Sequence, residues 1–212
     1  MRARGILKKD LTSDKLEEIA GLVLAGGLSR RMGENKALMR PDKRQSLLER
    51  SFSRLHSICA DCYVSCAKGG AYPGFDCIED VVNPRGPMAG IISALRSLQK
   101  YRAILALACD MPLMTSQMLL ELVKNWQKNA ERPCLVAWQS VLTGKIQMLC
   151  ALYSLASLPH FEKAYQRNEF ALWNIVPPAA SLYLPYGPEK EKFFLNCNTR
   201  ADISCVCWEE ME

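Results

Sequence analysis

The sequence predicts an α/β fold, a Rossmann-like open three-layer sandwich with a mostly parallel sheet and mixed C-terminal strands. Three observations carry this. Short aliphatic or β-branched runs alternate with helical patterns over the first part of the chain, as βα units do. The run Ala103 to Cys109 is continuously apolar, which marks a central strand covered on both faces. Beyond Gln127 the alternation breaks, and strand-like runs follow one another more closely.

The elements follow in order. Thr12 to Ala20 reads as a short amphipathic helix, with Thr12 or Ser13 as cap and Asp14 in its first turn. Gly21 to Ala25 is a buried strand. Ser46 to Ile58 is a helix, with Leu47, Leu48, Phe52, Leu55 and Ile58 at helical spacing. Cys62 to Ala67 and Phe75 to Glu79 are strands. Pro87 to Leu98 is a helix, since proline is tolerated in a first turn. Thr115 to Gln127 is another, capped by Thr115 or Ser116. Then come strands at Cys134 to Gln139, Met148 to Tyr153 and Ser181 to Leu184. A helix from Ser154 to Arg167 lies between the last two, and Phe193 to Asn196 reads as a further short strand. With no repeat and no linker, residues 21–212 form one domain, preceded by an N-terminal extension over residues 1–20.

Composition narrows the function classes. At 49% hydrophobic and 23% charged the chain is ordinary globular protein. No apolar run approaches a membrane span, and the charged start lacks the apolar stretch of a secretory signal. The net charge of +5 is mild and clustered between Leu28 and Gln45 rather than spread along a tract, so a nucleic-acid partner is not expected. Arg40, Lys43 and Arg44 read as a solvated loop. The ten cysteines sit mostly in strand-like runs, where the reduced thiol behaves as a small hydrophobe. A cytoplasmic location is expected. Cys59, Cys62 and Cys66 have a spacing that would suit a metal if a fourth ligand arrived, but they span a helix end and the next strand, so they read as structural. Cys205 and Cys207 read the same way.

In open α/β sheets ligands bind beyond the carboxyl ends of the strands, and three features fall at such ends. Leu24, Ala25, Gly26 and Gly27 follow the first strand. Paired glycines let the backbone turn tightly and present free amides to anionic oxygens. Arg31 and Lys36 would then neutralise phosphates. The string is neither a Walker A loop nor G-x-G-x-x-G, and a glycine pair alone is equally an ordinary turn. Asp110 follows the most apolar strand, where a carboxylate either holds Mg2+ against phosphates or caps the turn before Pro112. Asn196 and Asn198 are spaced to project to one side of an extended segment; there they would bind a polar heterocycle or phosphate, or form an Asx turn before a short helix at Thr199.

The string from Leu24 to Lys36 resembles L-A-G-G-x-x-x-R-M-G-x-x-K, the signature of the molybdenum cofactor nucleotidyltransferases, the MobA-like family. Four later blocks are similar in the same order. They are Asn83 to Gly90, with G-P-M-A-G; Cys109 to Pro112, C-D-M-P; Gly144 to Tyr153, around Gln147; and Asn196 to Asp202, N-C-N-T-R-A-D. The likeness runs from about Gly21 to about Ile203 and is nearer the guanylyltransferases than the cytidylyltransferases. Ser65 stands where guanylyltransferases often have Asn, Asn83 where many have Asp, and Met148 replaces a Pro.

The resemblance implies transfer of GMP from GTP to the phosphate of molybdopterin or its molybdenum form, with release of pyrophosphate and with Mg2+ as cofactor. It implies Lys36, Asp110 and Arg31 as catalytic, and Asp110 as metal ligand. It implies a nucleotide pocket of Leu24, Ala25, Gly26, Gly27, Lys36, Ser65, Asn83, Gly86 and Asp110, and a pterin site of Gln147, Asn196 and Asn198. Other proteins of cofactor biosynthesis or molybdoenzyme maturation are implied partners. Two alternatives stand beside it: a related enzyme using CTP or another acceptor, and a non-catalytic nucleotide-binding protein of the same fold.

Overall fold

The computed structural model describes residues 16–25, 35–42, 44–83 and 86–206. Its sheet has seven strands: β1 (Ile19–Leu24), β2 (Cys62–Cys66), β3 (Cys77–Glu79), β4 (Ala103–Ala108), β5 (Leu135–Ser140), β6 (Ile146–Ser154) and β7 (Ser181–Tyr186). Their order is β3-β2-β1-β4-β6-β5-β7. Strand β6 is antiparallel to both neighbours, and all other pairings are parallel. The expected mostly parallel sheet with mixed C-terminal members is therefore what forms.

Helices cover both faces. α1 (Leu47–His56) and α3 (Ser116–Lys128) pack on one side, and α2 (Pro87–Ser97) and α4 (Leu158–Gln166) on the other. The local sequence explains their limits. Ser46 caps α1 and forms a reciprocal capping box with Glu49. The Thr115 hydroxyl accepts the Met118 N–H at 3.2 Å and starts α3. A final short helix, α5 (Arg200–Ser204), starts at Thr199 with a capping box to Asp202.

Every residue of β1 and β4 is buried, which accounts for their unbroken apolar character. Because β2 and β4 flank β1, the chain leaves β1 and β4 in opposite directions. This is a topological switch point, where the diverging loops open a crevice.

Several expected boundaries move. The described part of the expected Thr12–Ala20 helix is not helical: Ile19 and Ala20 pair with Ala103 and Ile104 in the sheet, and Leu16 bridges to Cys59. The apolar spacing of these residues is used to fill a strand, because pairing beside β4 outweighs a local helical pattern. Thr12, Ser13 and Asp14 lie outside the described residues. The expected strand over Phe193 to Asn196 is replaced by a 3-10 helix over Pro188–Phe194 and an irregular stretch after it. Pro188 lacks an N–H, and Phe194 turns inward against Trp138 and Tyr186. β3 is shorter than expected because Gly74 takes φ +86° and Phe75 closes a turn onto the Tyr72 carbonyl. α4 starts late because Ser154 remains in β6 and a 3-10 turn over Leu155–Ser157 intervenes.

Candidate nucleotide-binding site

The carboxyl ends of β1, β2, β3 and β4 lie side by side, and the chemistry-bearing residues gather there. Leu24 ends β1, and its carbonyl accepts the Cys109 N–H at 3.3 Å. This stitches the two strand ends together just before Asp110. Ala25 follows and is buried. Gly26, Gly27 and Arg31 lie outside the described residues. The Asn35 side chain accepts the Ala37 N–H at 3.1 Å and caps a 3-10 turn over Lys36–Leu38.

That turn delivers Lys36 to the site. Its ammonium donates to Asp110 Oδ2 at 3.2 Å and to Asn198 Oδ1 at 3.3 Å. The Lys36 and Asp110 side chains are only 11% and 22% exposed, so their attraction is less screened than that of a surface pair. The other carboxylate oxygen, Asp110 Oδ1, is buried and has no hydrogen-bond partner. A buried acceptor left unpaired is costly, which marks this oxygen as one that a ligand would satisfy.

The C-terminal segment is tied to the same place through its backbone. The Cys197 N–H donates to the Asp110 carbonyl at 2.9 Å. Asp202 accepts the Asn198 and Thr199 N–H groups at 2.7 and 2.8 Å, and these amides hold its carboxyl below the usual carboxylate range. The Asn198 backbone belongs to the turn before α5, and its side-chain oxygen accepts from Lys36. The side-chain oxygen of Asn196 is buried and unpartnered. Gln147 sits in a different network at this edge of the sheet. Its amide donates to the Tyr186 hydroxyl at 2.6 Å, and Ser140 donates to Glu191 at 2.7 Å beside it.

At the β2–β3 side, Ser65 is buried and abuts Gly90 of α2. A Cβ at Gly90 would strike the Ser65 hydroxyl, so this glycine lets helix and strand approach closely. Gly86 starts α2 with φ +67°, a conformation that glycine adopts without the Cβ clash of other residues. Asn83 is exposed, and its carbonyl accepts from Tyr165 at 3.5 Å.

Two residues at this edge escape the sequence reading. Asp80 follows β3, and its N–H donates to the Cys66 carbonyl at 2.9 Å. Its Oδ1 is buried without a partner, and burial pushes its carboxyl up to about 6. The sequence signal for Asp80 is a carboxylate directly after a strand, whereas Asn83 lies nearer the G-P segment. Tyr72 is the other. Its hydroxyl donates to the Ala25 carbonyl at 3.0 Å and accepts from Asn35 at 3.4 Å. No local pattern announces a contact across 47 residues of chain.

Cys59 and Cys62 are buried, Cys62 beneath Gly21, and the Cys66 thiol donates to the Gly70 carbonyl. Among the described residues no three His, Cys, Asp or Glu side chains are grouped as a metal cluster. No helix among them is long and apolar enough to cross a membrane.

Comparison with known proteins matches the geometry. A family model described as the MobA-like NTP transferase domain matches residues 21–176. The probable molybdenum cofactor guanylyltransferase of Chloroflexus aggregans is 28% identical over 200 residues, covering 89% of this chain and 93% of the relative. The solved structure of molybdopterin-guanine dinucleotide biosynthesis protein A from Archaeoglobus fulgidus superposes with a TM-score of 0.69 at 21% identity, covering 87% of this chain and 94% of that one. A Mycobacterium tuberculosis protein solved in complex with manganese has the same fold, with a TM-score of 0.56 at 14% identity over 87% of this chain and 95% of its own.

Proposed function

The chain belongs to the MobA-like NTP transferase family, and we propose that it transfers GMP from GTP to the terminal phosphate of molybdopterin or its molybdenum form, acting as one domain that takes in β1 from Ile19. The observation that carries this reading is the Lys36–Asp110–Asn198 constellation at the switch point, with Asp110 Oδ1 unpartnered.

The reaction is a displacement at the α-phosphorus of GTP. An acceptor phosphate oxygen forms the new P–O bond, the α–β P–O bond breaks, and pyrophosphate leaves with its electron pair. The nucleophile is already an anion, so no general base is required. Alignment and neutralisation of charge are what the protein must supply. Lys36 is the cation for the phosphates, aided by Arg31 and the backbone of Gly26 and Gly27. Asp110 suits a hard divalent cation such as Mg2+, because its Oδ1 is an anionic oxygen with no competing partner. A single carboxylate plus phosphate oxygens and water is a usual donor set for that ion. The chemistry the ion supplies when bound is neutralisation of the triphosphate.

Base choice is assigned to Asp80, with Ser65, Asn83 and Gly86 as further candidates on the β2–β3 side of the site. Guanine presents two adjacent N–H donors on its Watson–Crick edge, which match the two oxygens of an ionised carboxylate. Cytosine presents one donor beside acceptors, and would leave Asp80 facing a lone pair. The acceptor is assigned to Asn196 and Asn198, with Gln147 contributing through Tyr186. The reduced thiols suit a reducing cytoplasm.

The test is a thermal-shift panel of GTP, CTP, ATP and UTP with Mg2+, followed by pyrophosphate release on adding molybdopterin. GTP alone is expected to raise Tm, since a ligand that binds only the folded state stabilises it by mass action. An equal shift with CTP overturns the base assignment. A shift with GTP but no pyrophosphate release overturns catalysis and leaves a nucleotide-binding protein.

A further inference from the structure

Tyr72 lies in the turn between β2 and β3, far in sequence from Lys36, and is 7% exposed. Its backbone is held in place locally. The Tyr72 N–H donates to the Cys77 thiol at 3.3 Å, and its carbonyl accepts the Phe75 N–H at 3.1 Å. Burial pushes its phenol above the ordinary range, so the hydroxyl keeps its proton near neutral pH. That proton goes to the Ala25 carbonyl, and the hydroxyl oxygen accepts the Asn35 amide.

The two partners adjoin the end of β1 and the start of the Lys36–Leu38 turn. Ala25 follows β1, and Asn35 immediately precedes Lys36. Asn35 also spends its side-chain oxygen on the Ala37 N–H, which sets the direction of the 3-10 turn carrying Lys36. A lysine is a point charge on a flexible four-carbon stem. Its ammonium is useful to a phosphate only where its backbone is fixed, and here Tyr72 and Asn35 fix it against the end of β1.

We propose that Tyr72 and Asn35 are positioning residues that place the Lys36 ammonium for the phosphates, and so make the pocket prefer a nucleoside triphosphate to the unphosphorylated nucleoside. This rests on the reading of Lys36 as the phosphate cation. The competing role is a brace for the fold without influence on the ligand.

The discriminating experiment titrates the full chain with GTP and, separately, with guanosine, both with Mg2+, following binding by calorimetry or ligand-observed NMR. The variants are Tyr72→Phe, which keeps the ring and removes the hydroxyl, Asn35→Ala, and the double variant. Each single variant removes two of these three hydrogen bonds and is expected to bind GTP about tenfold more weakly, with guanosine affinity unchanged. The double variant is expected to lose little more than either single, because the bonds form one chain. If Asn35→Ala does not fold, Asn35→Asp removes the donor to Tyr72 while keeping the acceptor for Ala37. Unchanged GTP affinity in Tyr72→Phe, or equal losses for GTP and guanosine, overturns the proposal. A wild-type chain that binds GTP no better than guanosine overturns the reading of Lys36 itself, and this inference with it.

Discussion

Lys36 Nζ stands 3.2 Å from Asp110 Oδ2 across 74 residues of chain, so the loop after β1 and the loop after β4 meet in one partly buried ion pair. In the proposed reading, the pair supplies the cation for a triphosphate and the anionic oxygen for its counterion. Lys36→Ala and Asp110→Ala are each expected to lower the transfer rate by about a hundredfold or more, the scale of losing a preorganised charge at a phosphoryl site. The pair keeps some solvent contact, so Tm should move little. Rates of pyrophosphate release, with melting curves of the same samples, check both halves. Full activity in Asp110→Ala with Mg2+ would refute the metal assignment.

Asp80 is expected to make both stability and nucleotide binding depend on pH. Its folded-state value of about 6 lies above the ordinary 3.8, so the folded chain holds a proton that the unfolded chain releases. The stabilisation from that proton is fully present below about pH 4 and is lost as pH rises through about 6. GTP affinity should run the other way, falling below about pH 6 as the carboxylate is neutralised. Asp80→Asn should therefore melt higher than wild type at pH 8 and bind GTP more weakly there. Melting curves from pH 5 to 8, with GTP titrations at both ends, are the check; a Tm difference that does not narrow toward pH 5 counts against it.

Gly90 and Ser65 should behave as a coupled pair. Alanine is the better helix former by about 1 kcal/mol, yet Gly90→Ala is expected to lose about 1–2 kcal/mol, because the new Cβ meets the buried Ser65 side chain. Ser65→Gly in the same chain should recover most of that loss. Urea unfolding of the two singles and the double measures the coupling.

Asp202 touches neither proposed substrate but holds the Asn198 and Thr199 amides. Asp202→Ala is expected to raise KM for the molybdopterin acceptor several-fold while leaving KM for GTP nearly unchanged. Steady-state kinetics with each substrate varied in turn separates the two, and an equal rise in both constants would place Asp202 outside the acceptor half.

The strand–helix order and the apolar centre were legible because they depend on residues near one another in sequence. The runs at Ile104 to Ala108 and Cys62 to Cys66 can be satisfied only as buried strands, and Ser46 and Thr115 announce the helices after them. Reading failed where a distant partner decided. Ile19 and Ala20 follow a helical rhythm but are claimed by pairing with β4. The apolar Phe193 and Phe194 read as strand, yet Phe194 is needed against Tyr186.

The candidate site divides in the same way. Sequence alone singled out Lys36, Asp110 and Asn198 as candidates, since each lies in an ordered motif. It could not say that one ammonium touches the other two side chains, nor that Asp80 after β3 is a buried carboxylate with an unpartnered oxygen. Nor could it join Tyr72 to Ala25 and Asn35. Those relations come from strand register and loop closure across 37 to 162 residues. Motifs record which groups are present; only the packed sheet decides which of them lose water, and therefore which are left with an unpaired charge or oxygen for a ligand to meet.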